Sequence, residues 1–364
     1  MSSIASTPTA LAGSWWRTAT AGTLVLGGLA ILLIAAAAVA ASIGAAGIPV
    51  SRLPAALGIA QSTTDAAMLA RDQLILWSIR LPRIVMAAII GGLLATAGAI
   101  MQGLFRNPLA DPGLVGVSSG GALAAAATIV LGDRLLAGGV MKLPSEFLPI
   151  AAFFGSLAAT VVLYRIATRE NRTSIAIFLL GGIAIAALAG AGLGLLVFVA
   201  DDRQLRDITF WMLGSLSGAT WARVGTLAPF FLVMLLCIPL LAHGLDLLAL
   251  GEAEAFHMGV EVERLKRISI VLVSAITGAA VAFTGVIGFV GIVVPHLLRL
   301  VIGPGHRLLL PASVLLGAVM LLIGDTFART IAAPAEVPIG ILTALVGAPF
   351  FLAVLLRQRS LTSL

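Results

Sequence analysis

GAIMQGLFRNPLADPGLVGVSSGGA, residues 98–122, is the stretch on which the reading of the whole chain turns. It lies between two apolar segments, yet it carries Gln102, Arg106, Asn107 and Asp111 together with Pro108 and Pro112. Proline has no backbone donor and pushes the residue before it towards extended geometry, so a helix is predicted to break at about Asn107. Ser118-Ser119-Gly120-Gly121 then offers capping side chains and room for close backbone approach where the next helix begins. A polar, broken-helix element at the end of a membrane helix is tolerated where protein buries it or where it lines a cavity. The stretch is therefore a functional candidate on its own chemistry.

Working outward, 60% of the 364 residues are hydrophobic and 10% are charged, and the mean hydropathy is +1.12. A water-soluble domain carries about a quarter charged residues, so this composition belongs in lipid. Apolar runs of about 20 residues recur to the C-terminus and predict a polytopic, all-α protein. Ten spans are placed at about 22–43, 84–104, 116–132, 147–167, 175–199, 223–242, 266–284, 287–302, 309–328 and 338–356. Residues 1–21 and 357–364 form tails, and 22–356 is one transmembrane domain with a polar excursion at 245–267. The run Gly22–Ile43 is long for a cleaved signal core and is read as the first span.

The net charge of +6 is not gathered into one block, which gives nucleic-acid binding no support. The basic residues divide almost evenly between the two sides. The clusters next to spans, Arg165/Arg169/Arg172, Arg264/Lys266/Arg267 and Arg357/Arg359, place both termini and the 245–267 excursion in the cytoplasm. The single cysteine, Cys237, excludes an intrachain disulfide, and no Cys/His cluster argues for a metal. The two lysines, Lys142 and Lys266, follow no GxxxxG, so ATP chemistry must belong to another chain. Only Asp325 among the acids falls within a span, which disfavours an ion-coupled secondary carrier. No catalytic constellation stands out, and an enzyme is not expected.

In LDLLALGEAEAFHMGVEVERLKR, residues 245–267, Gly251 and Gly259 bracket a short helix. Leu245, Leu248, Leu250, Ala253, Phe256 and Val260 are expected on one side, with Glu252, Glu254, Glu261 and Glu263 in water. The segment reads as a docking element or as an ordinary loop. TFWMLGSLSGATW, residues 209–221, has Trp211 and Trp221 suited to an interface and glycines suited to a re-entrant half-helix. Arg80, Arg83 and Arg329 lie at span ends and can clasp carboxylates of a soluble partner or snorkel to the interface. His296 next to Pro295 reads as a metalloporphyrin ligand or as a residue satisfying a hydrogen bond near a helix break. Residues 98–116 and 285–303 faintly echo one another, each with glycines, a proline-bearing polar break and an arginine.

In order, RLPR (80–83), residues 98–122, LLGGIA (179–184), FWMLGSLSG (210–218), LGEAEAFHMGV (250–260), residues 285–311, GDTFAR (324–329) and residues 336–351 form a pattern. This pattern, spread from Arg80 to Arg357, resembles the permease subunits of bacterial iron-siderophore, heme and cobalamin ABC importers, the FecCD type. The resemblance implies a type II importer fold like that of cobalamin permeases, with ten spans, in the bacterial inner membrane. It implies a homodimer with one central pathway, lined by the fifth and tenth spans. It also implies two cytoplasmic ATPase subunits, which bind ATP and Mg, and a periplasmic binding protein. It makes 251–259 the coupling helix, with Leu250, Gly251, Glu252, Ala253, Ala255, Phe256, Met258 and Gly259 facing the ATPase. It makes Arg80, Arg83 and Arg329 contacts for acidic residues of the binding protein. Gln102, Arg106, Asn107, Pro108, Trp211, Gly214, Pro295 and His296 belong to pathway or structural motifs. No cofactor or metal is implied in this chain. The motifs are most similar to the heme branch, next to siderophore permeases, and less to cobalamin permeases.

Overall fold

The computed structural model describes residues 9–44, 47–61, 65–136, 146–170 and 172–362. Parts of the predicted tails (residues 1–8 and 363–364) and Lys142 lie outside the described residues. The helices are α1 (Thr9–Ser42), α2 (Leu53–Ala56), α3 (Ala66–Ile75), α4 (Leu81–Leu104), α5 (Val117–Leu136), α6 (Phe147–Ala167) and α7 (Ile175–Val199). They continue with α8 (Asp202–Met212), α9 (Trp221–Leu248), α10 (Glu252–His257), α11 (Val262–Thr284), α12 (Val290–Ile302), α13 (His306–Thr330) and α14 (Ile339–Thr362). A two-residue hairpin, β1 (Thr168–Arg169) and β2 (Arg172–Thr173), joins α6 to α7.

Seven helical stretches are long and apolar enough to cross a membrane, and α5, α12 and α14 add three shorter apolar helices. Together they are the ten expected spans. The predicted tail at 1–21 is helical from Thr9, so α1 starts well before the span. Before the second span, α3, a π-helical turn at Leu76–Arg80 and α4 run on as one rod from Ala66 to Leu104. Its first part is less apolar because it lies beyond the span proper.

α4 is the middle of the molecule. It is apolar on every side, which suits a helix surrounded by other helices rather than by lipid. Of its most apolar window 89% is buried, against 11% for α7. Close approach is possible because glycines meet there. A methyl on Gly91 would overlap the Gly317 carbonyl of α13, and one on Gly98 would overlap Gly291 of α12. Within lipid the solvent gives little push, so such backbone packing is what holds helices together.

The break after α4 follows the sequence closely. The helix ends at Leu104, Arg106 takes φ 49°, and Asn107 Oδ1 accepts the Leu109 amide at 2.9 Å. Asp111 Oδ1 accepts the Gly113 amide at 2.7 Å, and Gly116 at φ 76° turns the chain into α5. The serines do not cap as expected. They sit inside the first turn of α5, where Ser119 Oγ donates to the Gly116 carbonyl at 3.1 Å. The glycines do what was expected: a Cβ on Gly120 would fall 2.6 Å from the Gly155 carbonyl of α6.

Candidate functional site

Three regions carry the residues singled out above. The first is a meeting of three chain breaks. α8 ends at Met212 and Gly214 turns at φ 71°; α11 ends at Thr284 and Gly285 turns at φ 70°. The Ser215 amide donates to the Thr284 carbonyl at 2.7 Å, and the Ile339 and Gly340 amides donate to Gly214 and Leu213 at 3.1 Å. Backbone is thus paired with backbone where helix is absent, as a lipid environment requires. Of residues 209–221, expected to suit a re-entrant half-helix, 209–212 are the end of the short helix α8, and a paired turn follows. Below the knot lies a cavity of about 630 Å³, lined by Met212, Leu213, Val286, Phe289, Ile341 and Leu345 among other apolar residues.

Trp211 is half-buried beside Gly285, while Trp221 is exposed and donates Nε1 to the Trp77 carbonyl at 2.8 Å. Gly214 is buried, and a side chain there would strike the Val286 carbonyl. His296 faces α14, its ring centroid 5.6 Å from that of Phe350. Pro295 is buried within α12.

The second region is the end of the bundle that holds Arg80, Arg83 and Arg329. The structure brings all three together, around a small cavity shared with Gly44 and Glu336. Their side chains are occupied by their own chain. Arg83 pairs with Asp325 at 2.8 Å and with Glu336 at 2.9 Å, and Arg329 Nε lies 3.2 Å from Asp325. Arg80 donates to the Ala41 carbonyl, and Arg329 reaches those of Ala40 and Ile43. The open end of α1 is thereby capped by cations, which suits its partial negative charge. Asp325, 1% exposed, is held on both sides by guanidinium groups. Sequence reasoning missed this pairing, because Arg83 and Asp325 are 242 residues apart.

The third region is the opposite end. A cavity of about 600 Å³ is lined by Gln102, Arg106, Asn107, Asp246, Arg299 and His306 among others, and Leu250 stands on its rim. Gln102 donates to the Gly291 carbonyl at 3.0 Å and accepts from Arg299. Asp246 Oδ1 accepts from the backbone and the ring of His306, at 2.7 and 2.8 Å. In the connecting loop, burial pushes the Asp111 carboxyl up, and the hydrogen bond from Gly113 pulls it part of the way back.

α10 projects here. Gly251 at φ 136° and Gly259 at φ 87° bracket it, as expected of glycine at helix ends. The single apolar face expected for 245–260 does not exist. Leu245 and Leu248 are buried in the bundle, whereas Leu250, Phe256 and Met258 are 64%, 69% and 48% exposed. The turn at Gly251 separates the two groups, and a periodic reading carried across a glycine of positive φ assigned them to the same side. Ala255 is buried and holds α10 down. Nor do all four glutamates stay in water: Glu252 and Glu263 bind the buried Lys266.

Comparison with known proteins agrees with this geometry. The profile described as the FecCD transport family matches residues 15–357. The hemin transport system permease protein HmuU of Yersinia pestis is 44% identical over 337 residues, 92% of this chain and 96% of that protein. The cobalamin import system permease protein BtuC of Halobacterium salinarum is 45% identical over 292 residues, 80% of this chain and 76% of that one. A solved metal-chelate type ABC transporter in an inward-facing conformation superposes with a TM-score of 0.79 at 30% identity, covering 92% of this chain and 99% of its own.

Proposed function

The chain belongs to the FecCD transport family of ABC importer permeases, and from that membership we propose that it carries heme into the cytoplasm. The observation that supports heme most directly is the apolar, uncharged side-chain lining of the cavity beneath the three chain breaks. A large planar, mostly apolar cargo needs a wall without fixed charges on which to stick. The likeness to a hemin permease over nearly its whole length points the same way. Cobalamin is the second reading, because an equally identical relative is a cobalamin permease. Ferric siderophores are the third.

In this reading two copies of the chain face each other through α7 and α14, with α8 nearby. α7 is mostly bare in one copy, exposing Leu180, Leu188, Leu195 and Phe198. Two ATPase subunits seat on α10 through Leu250, Phe256 and Met258, in the cytoplasm together with both termini of the chain. A periplasmic binding protein docks at the arginine end, where an incoming carboxylate displaces the exposed Glu336 from Arg83. ATP binding closes the ATPases and alternates access to the central cavity. An ion-coupled carrier is disfavoured because Asp325 is already neutralised by two arginines.

The test is uptake into proteoliposomes containing permease, ATPase and binding protein, offered heme, cyanocobalamin or a ferric siderophore. Heme is expected to enter only with ATP. Preference for either of the other cargoes overturns the heme assignment, and undiminished uptake without nucleotide overturns the ATP-driven reading.

A further inference from the structure

Among the described residues, Lys266 is a buried cation that cargo and docking leave unexplained. It is 2% exposed, and its ammonium group holds three separate parts of the chain. Nζ donates to Glu252 Oε2, the first residue of α10, at 2.8 Å. It donates to Glu263 Oε1, one turn back on α11, at 2.9 Å. It donates to the Thr173 carbonyl in β2 at 3.2 Å. Glu263 closes the ring, its second carboxylate oxygen accepting the Thr173 amide at 3.0 Å. All three ammonium hydrogens therefore have partners, which is the condition under which a lysine can be taken out of water.

What the lysine joins matters more than how well it is satisfied. Thr173 is buried, its hydroxyl lies 3.0 Å from that of Thr168 across the hairpin, and the next residue, Ser174, is the N-cap of α7. From the exposed face of α10 to the start of α7 the path is one carboxylate, one ammonium and one peptide. Chain connectivity offers no equivalent: it leads from α10 back into α9 and on into α11. α7 is also the span that one copy leaves most open, the face that meets the second copy in the proposed dimer. Its apolar window is 11% buried, and side chains at Gly190 and Gly194 would meet nothing within 4 Å. A basic surface alone would need no burial, and the neighbouring Arg264 already supplies one.

We infer that Lys266 is the positioning residue that ties α10 to α7, so that displacement of the docking helix is passed directly to a span that walls the pathway. The inference rests on α10 being the element that the ATPase grips.

The experiment uses the complete transporter in proteoliposomes, with whichever of heme or cyanocobalamin the wild type takes up. It records ATPase retained on purification, ATP hydrolysed and cargo moved. With Lys266→Met the ATPase is expected to stay bound while cargo moved per ATP falls about tenfold, an ordinary allosteric coupling. Lys266→Arg, which keeps a buried cation, is expected to recover most of the ratio. Glu252→Ala cuts the α10 arm alone and leaves the lysine paired with Glu263 and Thr173, so it decides the matter if Lys266→Met does not fold. It is expected to lower the ratio in the same way. A merely structural lysine would reduce the amount of folded complex and leave cargo per ATP at the wild-type value, and that outcome overturns the inference. Retention of the ATPase by a Leu250→Asp, Phe256→Asp variant would instead overturn the docking reading, a result distinguishable from failure of the lysine link.

Discussion

The two ends of the bundle use charge in opposite ways. At the arginine end, Arg83, Arg329, Asp325 and Glu336 are paired among themselves, and Arg80 and Arg329 fasten the last turn of α1. At the other end one buried ammonium, Lys266, ringed by Glu252, Glu263 and the Thr173 carbonyl, links three segments, and Leu250, Phe256 and Met258 stand outward on α10. The difference teaches which end is built to hold its shape and which is built to be taken hold of. A buried network of opposite charges is costly to desolvate, and removing a buried member leaves an unpaired charge, so its core holds together. A small exposed apolar patch on a short helix is stable only when something covers it.

The comparison can be broken most severely at Asp325. Replacing it with alanine leaves two guanidinium groups facing each other in a buried site, and the expected loss is about 3–5 kcal/mol. Thermal unfolding of the detergent-purified protein measures it, and an unchanged Tm would mean that the arginine end is not held by this network. Next in size, the paired change Leu250→Asp, Phe256→Asp is expected to weaken ATPase binding about 100-fold, the weight of a strong interface hot spot. Titration of the purified ATPase onto the permease reads it directly, and unchanged affinity would move the docking surface elsewhere. Smallest is Glu336→Ala. Glu336 is 41% exposed and accepts from both terminal nitrogens of Arg83. Freeing the Nη1 edge of that guanidinium, which stays paired with Asp325, is expected to tighten binding-protein association about twofold to fivefold at low salt, the range of an exposed ion pair. No change would remove Arg83 from that interface.

Much of this was legible beforehand. The ten spans follow from apolar runs of the right length, and the loop after α4 follows from Pro108 and Pro112. α10 follows from Gly251 and Gly259. What could not be read depends on three dimensions. Arg264, Lys266 and Arg267 look alike as a basic cluster, yet only Lys266 turns inward, because its partners Glu252 and Thr173 come from other elements. Leu250 and Leu248 are two residues apart and equally apolar, yet the turn at Gly251 leaves one outside and the other within. Arg80 and Arg83 stand near the start of an apolar run, the usual place for snorkelling cations, and nothing local announces Asp325 or the carbonyls of α1.

The crowding around α4 also decides where this protein has room to vary. With Gly91 pressed on Gly317 and Gly98 on Gly291, even one added carbon has no place to go along that rod. α7 and α1 face outward along most of their length and accept exchanges among apolar residues. Room for substitution therefore lies at the periphery of such a chain, where lipids and partners are met, and is least in the mast at its centre.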